Sequence, residues 1–294
     1  MGLFDRKYCD VCGDKIRLLG NKKLKDGNLC KNCASQLSPW FDERRDSRVE
    51  EIKEQLAYRE KNKEVLQAFS ATRSFGQQRT KLLLDEKAKK FLVTKTGKLH
   101  EENPDVLDYS QVNGCDLDIN ERKQEKTREV KSSDGKTKKV SYQPPRYTYS
   151  YDFYVRIYVN HPYFNEIKYR LNRSSIEYEP RDSSFQMNTG QVIGSVLTGL
   201  HDAVSIASSG RGAEASGRID HALSSDPRMQ IPDYAECYRM GMEIKTALSQ
   251  IQEEVRDEYI VASQPKQAVT CPHCHATTYP TESSTCEYCG GALN

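Results

Sequence analysis

Ten cysteines punctuate this chain of 294 residues, and eight of them fall into four Cys-x-x-Cys pairs. Cys9 with Cys12 and Cys30 with Cys33 form one set, the two pairs separated by 17 residues. Cys271 with Cys274 and Cys286 with Cys289 form a second set, separated by 11. A two-residue spacer lets one tight turn aim two thiolates at a single ion, and two such turns close a tetrahedron. Gly13 follows Cys12 and Gly290-Gly291 follow Cys289, so the backbone is free to double back toward the sulfurs there. Pro272 stiffens the third turn, and Lys7, Lys15 and Lys31 offset thiolate charge at the first set. The pattern predicts two structural zinc ions, one near each end. Redox dithiols, disulfides and an iron–sulfur cluster compete for the same spacing, but four pairs in two matched sets favour zinc. His273 and His275 flank Cys274 and are alternative ligands. Four thiolates leave no coordination position for water, which makes both expected sites structural rather than hydrolytic. Cys115 and Cys237 are left over and read as buried free thiols.

The formal net charge is only +2, so no whole-chain field draws nucleic acid or acidic membranes, and binding of either kind would need a local patch. Hydrophobic residues make up 36 %, which predicts a modest core rather than one large one. The opening Met1-Gly2-Leu3-Phe4-Asp5-Arg6 is charged and lacks an apolar run, and no stretch approaches the length that spans a bilayer. A cytoplasmic location is therefore expected, where reduced thiols favour metal over disulfides.

The chain divides into five parts, one of them in two pieces. Residues 1–41 form the first zinc module, with Trp40 expected to pack over the knuckles. Residues 42–72 read as a charged helix and linker with a narrow stripe of Val49, Ile52, Leu56, Leu66 and Phe69. A plain spacer is favoured over a docking helix. Residues 73–180 change period. From Tyr147 to Val159 every second residue is aromatic or aliphatic, which predicts a strand, and six or seven antiparallel strands fit the whole stretch. Within it, residues 122–139 hold eight basic against three acidic side chains around Asp134-Gly135, a hairpin tip that reads first as a solvated arm and otherwise as the best candidate for contact with an anionic surface. Residues 181–230 are a Ser- and Gly-rich flexible insertion with a short amphipathic helix near 190–206. Residues 231–260 return to the β domain with a helix whose stripe runs Tyr234, Cys237, Gly241, Ile244, Leu248, Ile251 and Val255. A polar linker leads to the last zinc module at 268–294. The fold class expected is α+β: two small zinc ribbons flank an antiparallel β-barrel or curved sheet capped by a C-terminal helix.

Three resemblances add to this reading. The opening Met-Gly-Leu-Phe-Asp, Cys9-Asp-Val-Cys12-Gly, Leu29-Cys30-Lys31-Asn32-Cys33 and Leu37-Ser38-Pro39-Trp40-Phe41 resembles a bacterial N-terminal zinc-ribbon family of unknown function. That resemblance implies Cys9, Cys12, Cys30 and Cys33 as ligands and little about activity. Leu82-Leu83-Leu84-Asp85-Glu86, Asn103-Pro104-Asp105-Val106-Leu107 and the late helix are similar to a bacterial pleckstrin-homology-like (PH-like) domain. The C-terminal Cys-Pro-His-Cys and Cys-Glu-Tyr-Cys-Gly-Gly resemble a rubredoxin-type zinc ribbon.

No phosphate-cradling glycine loop, nucleophile elbow or His-Glu-x-x-His occurs. The expected function is a non-enzymatic adaptor whose ribbons and β domain bind a protein partner or an anionic membrane surface. The alternative is nucleic-acid binding, with a weak footprint because Lys22, Lys23 and Lys25 alternate with Asp10, Asp14 and Asp26. No small-molecule substrate is indicated.

Overall fold

The computed structural model describes residues 7–17, 19–76, 80–180, 226–263, 268–279 and 284–293. The chain forms two compact units, residues 1–249 and residues 250–294. The expected 190–206 helix and nearly all of the 181–230 insertion lie outside the described residues.

In the first unit, a small hairpin of β1 (Lys22–Lys23) and β2 (Asn28–Leu29) leads into α1 (Lys31–Gln36). Helix α2 (Val49–Ala68) follows. Its start is fixed twice: Glu51 accepts the Arg48 amide at 2.7 Å, and Asp26 accepts the Val49 amide at 2.9 Å. These bonds satisfy amides that a helix N-terminus leaves open.

Two antiparallel sheets come next. The first runs β3 (Arg73–Phe75), β4 (Lys81–Asp85), β5 (Lys90–Thr94) and β6 (Val106–Asp108), each paired to the next. A short helix, α3 (Leu99–Glu102), ends at Asn103, which takes a left-handed conformation with φ 49°. The second sheet is built on β10 (Tyr147–His161). β7 (Val112–Glu125) pairs with β10 along nearly its whole length. β11 (Phe164–Arg170) and β12 (Ile176–Tyr178) share the other edge. Between β7 and β10 the chain makes an arm of β8 (Thr127–Lys131) and β9 (Thr137–Ser141), which pair only with each other. Gly135 at the arm's tip has φ 78°, the conformation its turn demands.

The period-two pattern is realised in β10. Tyr149, Tyr151, Phe153, Val155, Ile157 and Val159 are all buried. Across them lies the first half of α4 (Pro232–Ser263). Tyr234 sets its ring edge-on to both Tyr151 and Phe153 at 4.9 Å. Gly241 faces Leu117 so closely that a Cβ there would sit 2.4 Å from a leucine methyl. Buried Arg228, just before α4, pairs with Asp226 at 2.7 Å and with Glu121 of β7 at 3.7 Å.

Three expectations need correcting. Of the expected barrel or curved sheet, the barrel is ruled out: the sheets are open, and no closed barrel occurs among the described residues. The described part of 73–180 contains ten strands rather than six or seven, because the basic arm adds two and β3 and β6 are too short to show a period. Helix α2 is no spacer. Ile52 is buried in the apolar cluster of the first ribbon, and Leu66 is buried against Leu92 and Val106 of the first sheet. Between them Gln55, Arg59 and Asn62 are buried too, so the inward face is apolar at both ends and polar in the middle.

Candidate metal centres

The first cysteine set is assembled by two different local devices. Cys9 and Cys12 sit on a turn in which the Gly13 amide donates to the Cys9 carbonyl at 2.8 Å, with Gly13 at φ 77°. Cys30 and Cys33 sit on the start of α1, where the Cys30 sulfur accepts the Cys33 amide at 3.4 Å as the helix cap. The second set uses the turn device twice. The His275 amide donates to the Cys271 carbonyl at 2.9 Å and the Gly290 amide to the Cys286 carbonyl at 2.8 Å. His275 takes φ 60° and Gly290 φ 69°, the positions equivalent to Gly13. A histidine here accepts the strain that glycine avoids.

The sulfurs converge as predicted from spacing. Cys9 and Cys33 lie 3.9 Å apart, Cys12 and Cys30 3.7 Å, Cys271 and Cys289 3.6 Å, and Cys274 and Cys286 3.7 Å. Within each set all four sulfurs fall within 4.8 Å of one another. A disulfide would bring two sulfurs to about 2.05 Å, and all eight cysteines are free. A tetrahedron with metal–sulfur bonds of ~2.3 Å, the zinc–thiolate length, has edges of about 3.8 Å. Both sets therefore fit a metal ion of that size. His273 and His275 belong to neither set.

Electrostatics prepare the sites unevenly. Burial pushes Cys9 up, but amides of Cys12, Cys30 and Val11 outweigh it and hold the thiol at about 7. Burial likewise opposes ionisation of Cys271, yet amides of Cys274 and His273 and the neighbouring sulfurs bring it to about 6. Burial and the other three sulfurs raise Cys33. The Gly291 amide favours the Cys289 thiolate, but neighbouring sulfurs and burial lift it to about 12. One thiolate per set forms readily, while Cys12 and Cys33 in the first set and Cys289 in the second resist, in part because like charges crowd. A divalent cation removes that conflict and makes full ionisation favourable.

Residues 7–55 match a family described as a domain of unknown function, DUF4428. No curated protein and no solved structure matches the chain. The matched stretch runs past α1 into the first turns of α2, and the packing explains why. The ribbon's apolar cluster of Ile16, Leu24, Leu29 and Leu37 is completed by Ile52, with Val49 and Leu56 packed beside it. Gly27 lies against α2 so tightly that a Cβ would come within 2.5 Å of Val49.

Other singled-out residues fall elsewhere. Trp40 does not join the cluster around the cysteines; it is half-buried, with the Lys95 ammonium 5.5 Å above its ring. Cys115 and Cys237 are free and half-buried rather than fully buried, and burial pushes their thiols up to about 12 and about 11. Neither has the lowered pKa of a reactive cysteine.

Composition concealed the polar bridge of α2. Arg59 pairs with Asp105 at 2.6 Å, both almost fully buried. Ser38 donates to the other Asp105 oxygen at 2.7 Å. Asn62 donates to Asn103 and to the Pro104 carbonyl, both at 2.8 Å, and accepts the Val106 amide at 2.9 Å. The 103–107 segment is thus where ribbon, helix and sheet meet. No helix among the described residues is long and apolar enough to cross a membrane.

Proposed function

We propose that this chain is a zinc-binding, non-enzymatic adaptor. It carries two structural zinc ions, on Cys9, Cys12, Cys30 and Cys33 and on Cys271, Cys274, Cys286 and Cys289. The observation that carries the zinc reading is the pair of four-sulfur sets with edges of 3.6 to 3.9 Å. Four thiolates complete the coordination of zinc and leave no site for an activated water. The ions then serve folding, and the surfaces they hold serve partners. A reducing, cytoplasmic setting suits eight cysteines kept as thiolates.

The central domain is read as PH-like. Four antiparallel strands, a second sheet around β10 and a helix laid across it occur in that order, which supports the reading. Protein or anionic membrane surfaces are the partners such an adaptor would engage. The exposed basic arm supports nucleic acid as the alternative partner.

Elemental analysis of the intact protein under reducing conditions is expected to give two zinc ions per chain; a value far below two would overturn the zinc reading. A filter-binding titration at two salt concentrations separates the partner classes. No retention of nucleic acid is expected. Retention that weakens steeply with salt would replace the adaptor reading with the nucleic-acid one.

A further inference from the structure

The arm and a cleft at the opposite end of β10 match each other in apolar character and charge. All ten strand residues of the arm are exposed. Its base is tied to the sheet by the Lys126 amide donating to the Arg146 carbonyl at 2.8 Å, but beyond that the two strands have only each other, a marginal arrangement in water that a partner surface would stabilise. Its two faces differ. The register puts Arg128 opposite Val140 and Val130 opposite Lys138, so one face carries two valines framed by two cations. Both valines are exposed, at 41 % and 37 %. Lysines alone would suffice to keep a bare edge soluble; two valines on the same face would not be needed for that.

The cleft has a volume of about 980 Å³ and lies between the segment preceding α2, the first turns of α2 and the β10–β11 turn. Trp40, Phe41 and Tyr163 supply aromatic wall. Asp42, Glu43, Asp46 and Glu54 line it and form no ion pair among the described residues. Lys168 is the cation in the lining and lies 3.9 Å from Asp118, while nearby Arg44 donates to the Lys23 carbonyl at 2.7 Å. The cleft is therefore aromatic and anionic where the arm is aliphatic and cationic.

One chain cannot bring the two together. The arm leaves β10 at Tyr147, and the cleft sits at its far end, beside His161. Fifteen residues of strand place them roughly 45 Å apart. We infer that the cleft receives the arm of a second copy of this chain, its valine face against the aromatic wall and Arg128 and Lys138 against the carboxylates. Two copies lying antiparallel satisfy both contacts at once, the self-complementary arrangement of a two-fold dimer.

Sedimentation equilibrium of the intact, metal-loaded chain tests this, at low and at physiological salt, up to about 100 μM. Self-association that weakens with salt is expected. R128E with K138E on the arm, or E43K with E54K in the cleft, is expected to raise the dissociation constant roughly tenfold or more, because like charges then meet. Mixing the two reversed variants is expected to restore association as a mixed pair. All four positions lie on the surface, and circular dichroism with metal content verifies that each variant folds. A wild-type chain that stays monomeric throughout overturns the inference. So does association that both reversed variants retain, or an arm that binds anionic vesicles while the chain remains monomeric.

Discussion

The two cysteine sets hold nearly the same sulfur geometry in opposite surroundings. Around the first, Ile16, Leu24, Leu29 and Leu37 are buried and α2 closes the cluster with Ile52. In the second ribbon, β13 (Val269–Thr270) and β14 (Thr277–Thr278) form a two-residue hairpin. Its buried described residues are Cys271, Cys286 and Thr278, while Tyr279 and Tyr288 are exposed. The first cysteine set is joined to an apolar core. The second has little besides its four sulfurs, the arrangement in which a bound metal ion would stand in for the surface that a very small domain cannot bury.

Metal removal breaks the comparison most forcefully. Structural zinc contributes about 10–16 kcal/mol of folding free energy in small metallo-domains. On chelation, backbone amides of 268–293 are expected to lose all exchange protection, while those of α2 near Leu66 keep theirs. Hydrogen exchange with and without chelator reads this directly. Equal loss in both places would erase the distinction.

A smaller effect isolates the support that only the first ribbon has. R59A leaves the buried Asp105 carboxylate without its guanidinium, which costs about 3–5 kcal/mol. Chemical denaturation is expected to report that loss, while competition with a metal indicator shows the affinity of the second set unchanged. Replacing both partners with apolar residues of similar size is expected to cost less than R59A alone.

The smallest effect compares two glycines. G27A drives a methyl into Val49 at 2.5 Å, where α2 is fixed by its own core, and overpacking of this kind costs about 1–3 kcal/mol. G291A meets the His273 ring at 2.5 Å, but that side chain is exposed and can swing aside. Thermal melts of the two variants are expected to show a drop for G27A and little change for G291A.

Much of this was legible in sequence because it repeats with a period. Cysteine spacing located both metal centres, alternation from Tyr147 to Val159 located β10, and Asp134-Gly135 located the tip of the arm. What escaped was burial of polar groups. Gln55, Arg59 and Asn62 count as solvated surface in any hydropathy reading, yet all three are buried, and Arg59 and Asn62 bond to the Asn103–Val106 segment. Asp152 sits on the outward, polar side of β10 and is nevertheless buried by Arg122, Arg170 and Ser175. Partners so distant in sequence leave no local pattern.

Helix α2 engages two cores from one face, Ile52 at its start and Leu66 near its end. A helix turns about 100° per residue. Inserting or deleting a single residue between these two positions would swing one anchor out of its seat while the other stayed in place. The fourteen-residue interval from Ile52 to Leu66 thus works as a key cut to one length. Sequence drift can alter its exposed positions freely, but the number of residues between the anchors is locked.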